Sequence, residues 1–459
     1  IHREVRDFFG LNFSWFSFFH KSLFLAQLHH PEERLRIQPS LILAMFSITT
    51  LAKSGREEPG GPDRKRALVY ADAAQSMLQQ SIISQSMDPT MAQAALILTA
   101  FEAYPHTHHA SHRFANALQN LDTIIQSFQL LAMDVNDERA SIFIPNQLPL
   151  LANDSEDVLP VRPIKADTSS TDSSPQGQVT SRWAPEPAWP VEWSVGQIRQ
   201  DEMRRMVWTA SSMAGHLSQF RNMTGEQPLE LYMTKPENYA IFFTAEVLLV
   251  DTDPESAKAT IWALFNRVTL LWHYINRVRR SGSLSPGDKL ALATEIWREA
   301  DRIEKAMFSV EMDGGSSMKW QANDWLLNLR LLATDNFRML PQMFGENGKK
   351  VGKEYAKRWL SSQAAVAQFL MSPGGIGEKQ DVAFIEPRSY FVWSLMSQAY
   401  TAIDLYRQDS STSEALKVAG ELMRSIERVA ESWPTESKSV VIGISLDLLH
   451  ADLYRAAPM

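Results

Sequence analysis

Apolar positions recur along most of the chain at the three- and four-residue spacing of a helix. Leu41, Met45, Ile48 and Ala52 fall on one face, with Pro39 and Ser40 suited to the start of that helix and Gly55 following its end. Residues 55–63, with Pro59, Gly60, Gly61 and Pro62, read as a loop. A second helix is predicted over about 64–85, with Leu68, Ala71, Ala74 (or Gln75) and Leu78 inward. Residues 90–104 are apolar nearly all round, which places that helix at the centre of a bundle, and Pro105 ends it. Residues 112–131 carry Phe114, Leu118, Leu121 and Ile125 on one side.

Beyond residue 194 the helical pattern continues almost to the last residue. The predicted helices are 195–217, 235–250, 254–280, 286–310, 323–343, 353–371, 384–407, 413–433 and 440–457. In the fourth, Leu292, Ile296, Ala300, Ile303 and Met307 form a stripe, while Glu295, Arg298, Glu299, Arg302 and Lys305 line the rest. The Gly-containing stretches 345–352 and 372–378 read as turns. No alternating apolar–polar run is long enough to insist on a strand, and 146–151 is too short to count.

Residues 153–193 differ. They are rich in Ser, Thr, Asp and Pro, and a segment so composed buries too little apolar surface to offset its ordering entropy. They are read as a flexible insertion whose end, 183–193 with Pro185, Pro187 and Pro190, is an extended strap. The expected architecture is all-α, a large multi-helix array without significant β-sheet. It has an N-terminal lobe over 1–152, the insertion over 153–193 and a C-terminal lobe over 194–459.

Composition narrows the chemistry. Of 459 residues, 44% are hydrophobic, ample for a large core, and the formal net charge of −8 argues against a DNA-binding surface on this chain. There is no cysteine, so no disulfide, thiolate zinc site, iron–sulfur cluster or Cys nucleophile is built from this sequence. The first residue is Ile1, so the sequence reads as a piece of a longer polypeptide, and no signal peptide is visible in it. The apolar stretch 8–28 is broken by Asn12, Ser14, Ser17, His20, Lys21 and Gln27, which excludes a membrane span. Its aromatic residues are core or the wall of an apolar effector pocket.

Each group that could carry chemistry has a plainer explanation. His108 and His112 are four apart, a metal-ligand spacing on a helix, but His106–His112 follows Pro105 and reads as a loop or cap. Asp251 and Asp253 resemble half of a magnesium–diphosphate motif. No partner cluster stands at Asn323-Asp324, and Asp253-Pro254 suits a helix start. Glu202 lies three residues before Arg205, a spacing for an intrahelical ion pair, while Arg204 is placed to bridge to another helix. Arg64-Lys65-Arg66 is a nuclear-import signal or a solvated first turn. No phosphate-binding Gly loop and no Gly-x-Ser-x-Gly elbow occurs. No catalytic, cofactor-binding or metal-ligating residue is therefore assigned.

Three stretches in order resemble the fungal-specific transcription factor domain, the middle homology region, of binuclear zinc cluster transcription factors. Phe18-Phe19-His20-Lys21 with Phe24-Leu25 is similar to the family's F-x-H-x-x-x-F-L entry. Met91–Leu98 with Phe101-Glu102 is similar to its Gln-Ala-Leu-rich helix ending in Glu, and Glu202–Trp208 to its E-x-R-R-x-x-W helix. Tyr70-Ala71-Asp72-Ala73-Ala74 suits the intervening helix. Many members carry an Asp-Arg pair and a Gly-Arg-Pro turn after the Trp. Here Ser212–Leu217 and Thr224–Pro228 depart from that pattern. The resemblance covers about 8–249. It implies a nuclear regulator whose zinc and DNA contacts belong to a Cys-rich module outside this chain. Its implied partners are DNA through that module alone, a small-molecule effector or transcriptional cofactor proteins. It implies no membrane and no enzymatic activity. The alternatives are a helical scaffold for partner proteins, or an enzyme with a helical pocket.

Overall fold

The computed structural model describes residues 1–11, 16–54, 61–85, 88–104, 106, 108–151, 188–227, 229–280, 284–309, 317–371, 392–432 and 451. The first lobe holds α1 (His2–Gly10), α2 (Lys21–His29), α3 (Pro31–Arg34), α4 (Pro39–Lys53), α5 (Pro62–Ile83), α6 (Thr90–Ala103) and α7 (Ser111–Ser127). Next come α8 (Val195–Thr224), α9 (Glu246–Leu249), α10 (Pro254–Ala257), α11 (Ile261–Arg280), α12 (Pro286–Ser309) and α13 (Ser317–Ala333). The series ends with α14 (Leu340–Phe344), α15 (Asn347–Met371), α16 (Val392–Gln408) and α17 (Glu414–Ser432). No strand occurs among the described residues, so the chain is all-α. None of the described helices is long and apolar enough to cross a membrane. The predicted loop at 372–378, the helix at 440–457 and most of the insertion lie outside the described residues.

The central position of α6 follows from its sequence. Every residue from Met91 to Phe101 is buried, and the helix packs on α4, α5, α7 and α8. The inward stripes of α4 and α7 are buried as their periodicity requires. One apolar cluster runs from Val5 in α1 to Ile426 in α17, so residues on both sides of the insertion share it. Phe8, Phe16, Phe18, Phe19 and Phe24 pack ring against ring within this cluster, which makes these five core. A second cluster joins α11, α12 and α13 around Trp262, Trp272, Ile296, Ile303 and Trp325.

Gly215 of α8 makes that second cluster possible. A Cβ there would lie 2.4 Å from Trp325 Cη2. The indole cannot retreat, because Trp272, Phe265 and His216 surround it. Gly215→Ala is expected to cost about 1–3 kcal/mol through overpacking, measurable as a lowered denaturant midpoint.

Several sequence expectations are corrected. Residues 235–250 do not form a helix: two 3₁₀ turns (Tyr232–Thr234 and Pro236–Asn238) lead into an irregular strap that ends at α9. Tyr239, Ala240, Ile241, Phe242 and Phe243 are all buried, so no polar face remains for a surface helix. Side chains hold the strap's main-chain N–H groups instead. Asp122 accepts from Tyr232 (2.6 Å) and Met233 (2.8 Å), Asp134 from Phe242 (2.9 Å), and Asn266 from Thr244 (2.9 Å). The predicted helix 254–280 is interrupted, and Thr260 restarts it by accepting from the Ala263 N–H.

The 345–352 stretch is a turn only at 345–346, since α15 starts at Asn347. Position 348 lies inside that helix and admits only glycine, because the Leu340 carbonyl oxygen would lie 2.1 Å from any Cβ there. Helix 323–343 stops at Ala333, where Asp335, Asn336 and Phe337 take positive φ. Glu299 is not on a solvated face but buried, paired with Arg267 of α11 at 2.6 Å. Arg64 is likewise buried, so only Lys65 and Arg66 of the basic run reach solvent.

Candidate functional site

The first half of α8 carries an unusual density of buried charge. Ser194 and Gln197 form a capping box that fixes where the helix starts, and Asp201, Glu202, Arg204, Arg205 and Trp208 follow within two turns. All five are buried. Glu202 does not pair with Arg205. It pairs with Arg199 (2.9 Å) and accepts the main-chain N–H of His20 (2.7 Å). Burial pushes its carboxyl above the ordinary range, against the pull of Arg199 and that N–H. Arg205 pairs with Asp201 one turn earlier (2.7 Å), and its guanidinium lies 3.9 Å from the Trp189 ring centroid. The described end of the strap-like segment, from residue 188, is thereby packed on α8. Arg204 does bridge away from its helix, in a bidentate pair with Asp134 (2.8 and 2.6 Å). Asp134 also holds the Phe242 N–H, and the Phe242 carbonyl accepts Trp208 Nε1 (2.9 Å).

His20 is itself the N-cap of α2, its Nδ1 accepting from Leu23 N–H (3.1 Å). Glu102, at the end of α6, holds His106 (3.1 Å) and both donors of the Arg113 fork (2.8 and 2.6 Å). Burial would raise this carboxyl, but His106 and Arg113 hold it down to about 2. All three stretches that carry the family resemblance thus contribute acid groups or caps to helix junctions.

A cavity of about 730 Å³ opens directly over the Arg204–Asp134 pair. Its floor is Met133, Phe242, Val247 and Val250. Trp193, Gln197 and Gln200 contribute from the start of α8, and Asn136, Asp137, Glu138 and Arg139 from the turn after α7. Four carboxylates face two guanidiniums, counting Asp134, Asp137, Glu138 and Asp251 against Arg139 and Arg204. Both guanidiniums are engaged, Arg139 with Asp137 (2.7 Å) and with Asp251. Arg139 and its own N–H hold Asp137 down to about 2. Behind the floor Glu246 is fully buried, pushed up to about 7 by desolvation, with Lys258 at 3.6 Å and the Phe243 N–H on its other oxygen. The groove can bind polar or cationic groups over an apolar base. The sequence pattern missed it because Asp134–Arg139 lies in a turn with no periodicity.

The remaining sequence candidates are dispersed. Asp251 pairs with Arg139, whereas Asp253 caps α10 by accepting from Ser256 N–H. Asp324 is buried between α13, α15 and α16, where it accepts from Gln363 (2.6 Å), Asn328 (3.1 Å) and Gln398 (3.5 Å). His106 and His109 are buried, not in a solvated loop, while His108 and His112 are exposed. Among the described residues no group of three His, Asp or Glu is placed to hold a metal ion. No family model matches the chain, and neither a curated protein nor a solved structure matches it.

Proposed function

We propose that this chain is the regulatory body of a fungal zinc cluster transcription factor, acting in the nucleus on an attached DNA-binding module. That module would hold the zinc and the DNA contacts. The observation that carries the proposal is the contact between Glu202 and the His20 N–H, which joins the first and third of the resembling stretches. The second, α6, packs on the same helix. The three stretches thus meet in one structural unit, which supports reading them together. Control would operate through a small-molecule effector or cofactor proteins that bind two states of the body with different affinity. A helical scaffold serving partner proteins is the second reading, favoured by the open groove beside α8.

The test is the coding sequence upstream of Ile1, followed by a reporter assay. A Cys-rich, basic segment is expected upstream, and the chain fused behind that segment is expected to change reporter output relative to the segment alone. A start codon immediately before Ile1 with no such segment overturns the proposal.

A further inference from the structure

Beside the groove, residues 141–144 leave the helical pattern altogether. Burial alternates with the two-residue period of an extended chain: Ser141 and Phe143 are buried, while Ile142 and Ile144 are 68% and 60% exposed. Among the described residues, neither Ile142 nor Phe143 makes a main-chain hydrogen bond. The segment is nonetheless fixed in place. Ala140 packs against Phe242 and Val250 of the groove floor. Lys258 Nζ donates to the Arg139 carbonyl (2.8 Å) and to Ser141 Oγ (3.0 Å).

We propose that the groove and this segment form one docking surface for an extended, basic segment of a partner protein. Unpaired main chain with alternating exposed apolar side chains is what strand addition uses, the peptide's amides pairing with Ile142 and Phe143, since the Ile144 carbonyl already accepts from the Gln147 N–H (3.2 Å). Charge selects the partner. Arg139 and Arg204 are already committed to Asp137, Asp251 and Asp134, so an acidic peptide finds no free guanidinium. A Lys or Arg side chain finds Glu138, which no described cation pairs, and the outer lone pairs of Asp137 and Asp251. The apolar floor accepts its aliphatic stem, and Trp193 adds an aromatic surface. The groove and segment 141–144 stand apart from the DNA-linked reading. A chain lacking any DNA-binding module would still bind such a peptide.

The test is fluorescence anisotropy with a labelled hexapeptide, acetyl-Arg-Val-Lys-Val-Arg-Val-amide, against its counterpart with Glu at each basic position. The basic peptide is expected to bind and to weaken as salt rises. The double variant Glu138→Lys/Asp251→Lys is expected to lose about tenfold or more in affinity. Ile142→Ser/Ile144→Ser is expected to weaken binding as well. All four side chains are exposed, so an unchanged melting curve separates lost binding from lost folding. Equal binding of the acidic peptide, or unchanged affinity in the charge-reversed variant, overturns the proposal. Equal binding of a peptide N-methylated at every second amide overturns the strand pairing.

Discussion

Arg204→Ala is expected to lower the unfolding free energy by about 3–5 kcal/mol, seen as a large drop in denaturant midpoint. The reason is what stays behind. Asp134 is 6% exposed and keeps only the Phe242 N–H once the bidentate guanidinium is gone. A buried carboxylate without its cation is far costlier than a pair removed whole. Because Asp134 anchors Phe242, and Phe242 in turn accepts Trp208 Nε1, the damage spreads into the 239–245 strap. Adding Asp134→Asn to the Arg204→Ala chain is therefore expected to recover much of the loss. Arg139→Ala provides the contrast. Its side chain is half exposed and pairs with exposed or half-buried carboxylates, so the midpoint should hardly move. An Arg204 variant that melts like the parent would mean that the pair is merely tolerated.

The same region shows how far the sequence could be read. Helices with a polar outer face, such as α7 and α12, are set by their apolar period, and their inward residues are buried as read, except that Leu292 is only partly so. Short apolar runs are different, because the period alone does not fix their path. In the 239–243 strap each side chain is enclosed, so apolar spacing cannot distinguish a helix from an irregular chain. Its path is decided by Asp122, Asp134 and Asn266, far away in sequence. Charge patterning misleads for a related reason. Glu299 sits among helix-surface charges in sequence, yet Arg267 draws it inside. Glu202 has Arg205 at ion-pairing distance along the helix, yet each takes another partner on the same helix, Arg199 for the acid and Asp201 for the base, and His20 and Trp189 from outside the helix complete the two sites. Arg204 does bridge away from the helix, to Asp134, although Asp201 stands three residues before it. The groove was not legible, since its residues come from a turn, a helix start and the strap.

Asp324 supplies the second large effect, and here removing a charge should stabilise. Its three hydrogen-bond donors are neutral amides, with no cation facing it, and desolvation pushes the carboxyl up to about 6 from the usual 3.8. The folded-state value is thus raised. Between about pH 4 and pH 6 the folded chain keeps a proton that the unfolded chain has released. Stability from this group falls as pH rises through that window, and above it the loss is complete, about 3 kcal/mol. Asp324→Asn removes that loss. The substituted amide can still accept from Gln363. Its new amino group can donate to the side-chain oxygen of Gln398, which is buried without a hydrogen bond, once that amide turns over, but it gives up the Asn328 Nδ2 donor, whose own oxygen stays on Trp359 Nε1. Other buried groups titrate as well: Glu246, raised to about 7, acts in the same sense, whereas His109, lowered to about 3, and His216 and His273, both lowered to about 4, oppose it by losing stability as pH falls below about 6.5. These contributions are common to both chains and cancel in the difference. The melting temperature of Asp324→Asn relative to the parent should therefore rise from about pH 4 to about pH 6 and keep that gain at pH 7.5. A difference that does not vary with pH would show that Asp324 is not the group that titrates, and that the amide cluster holds its carboxylate as comfortably as a cation would.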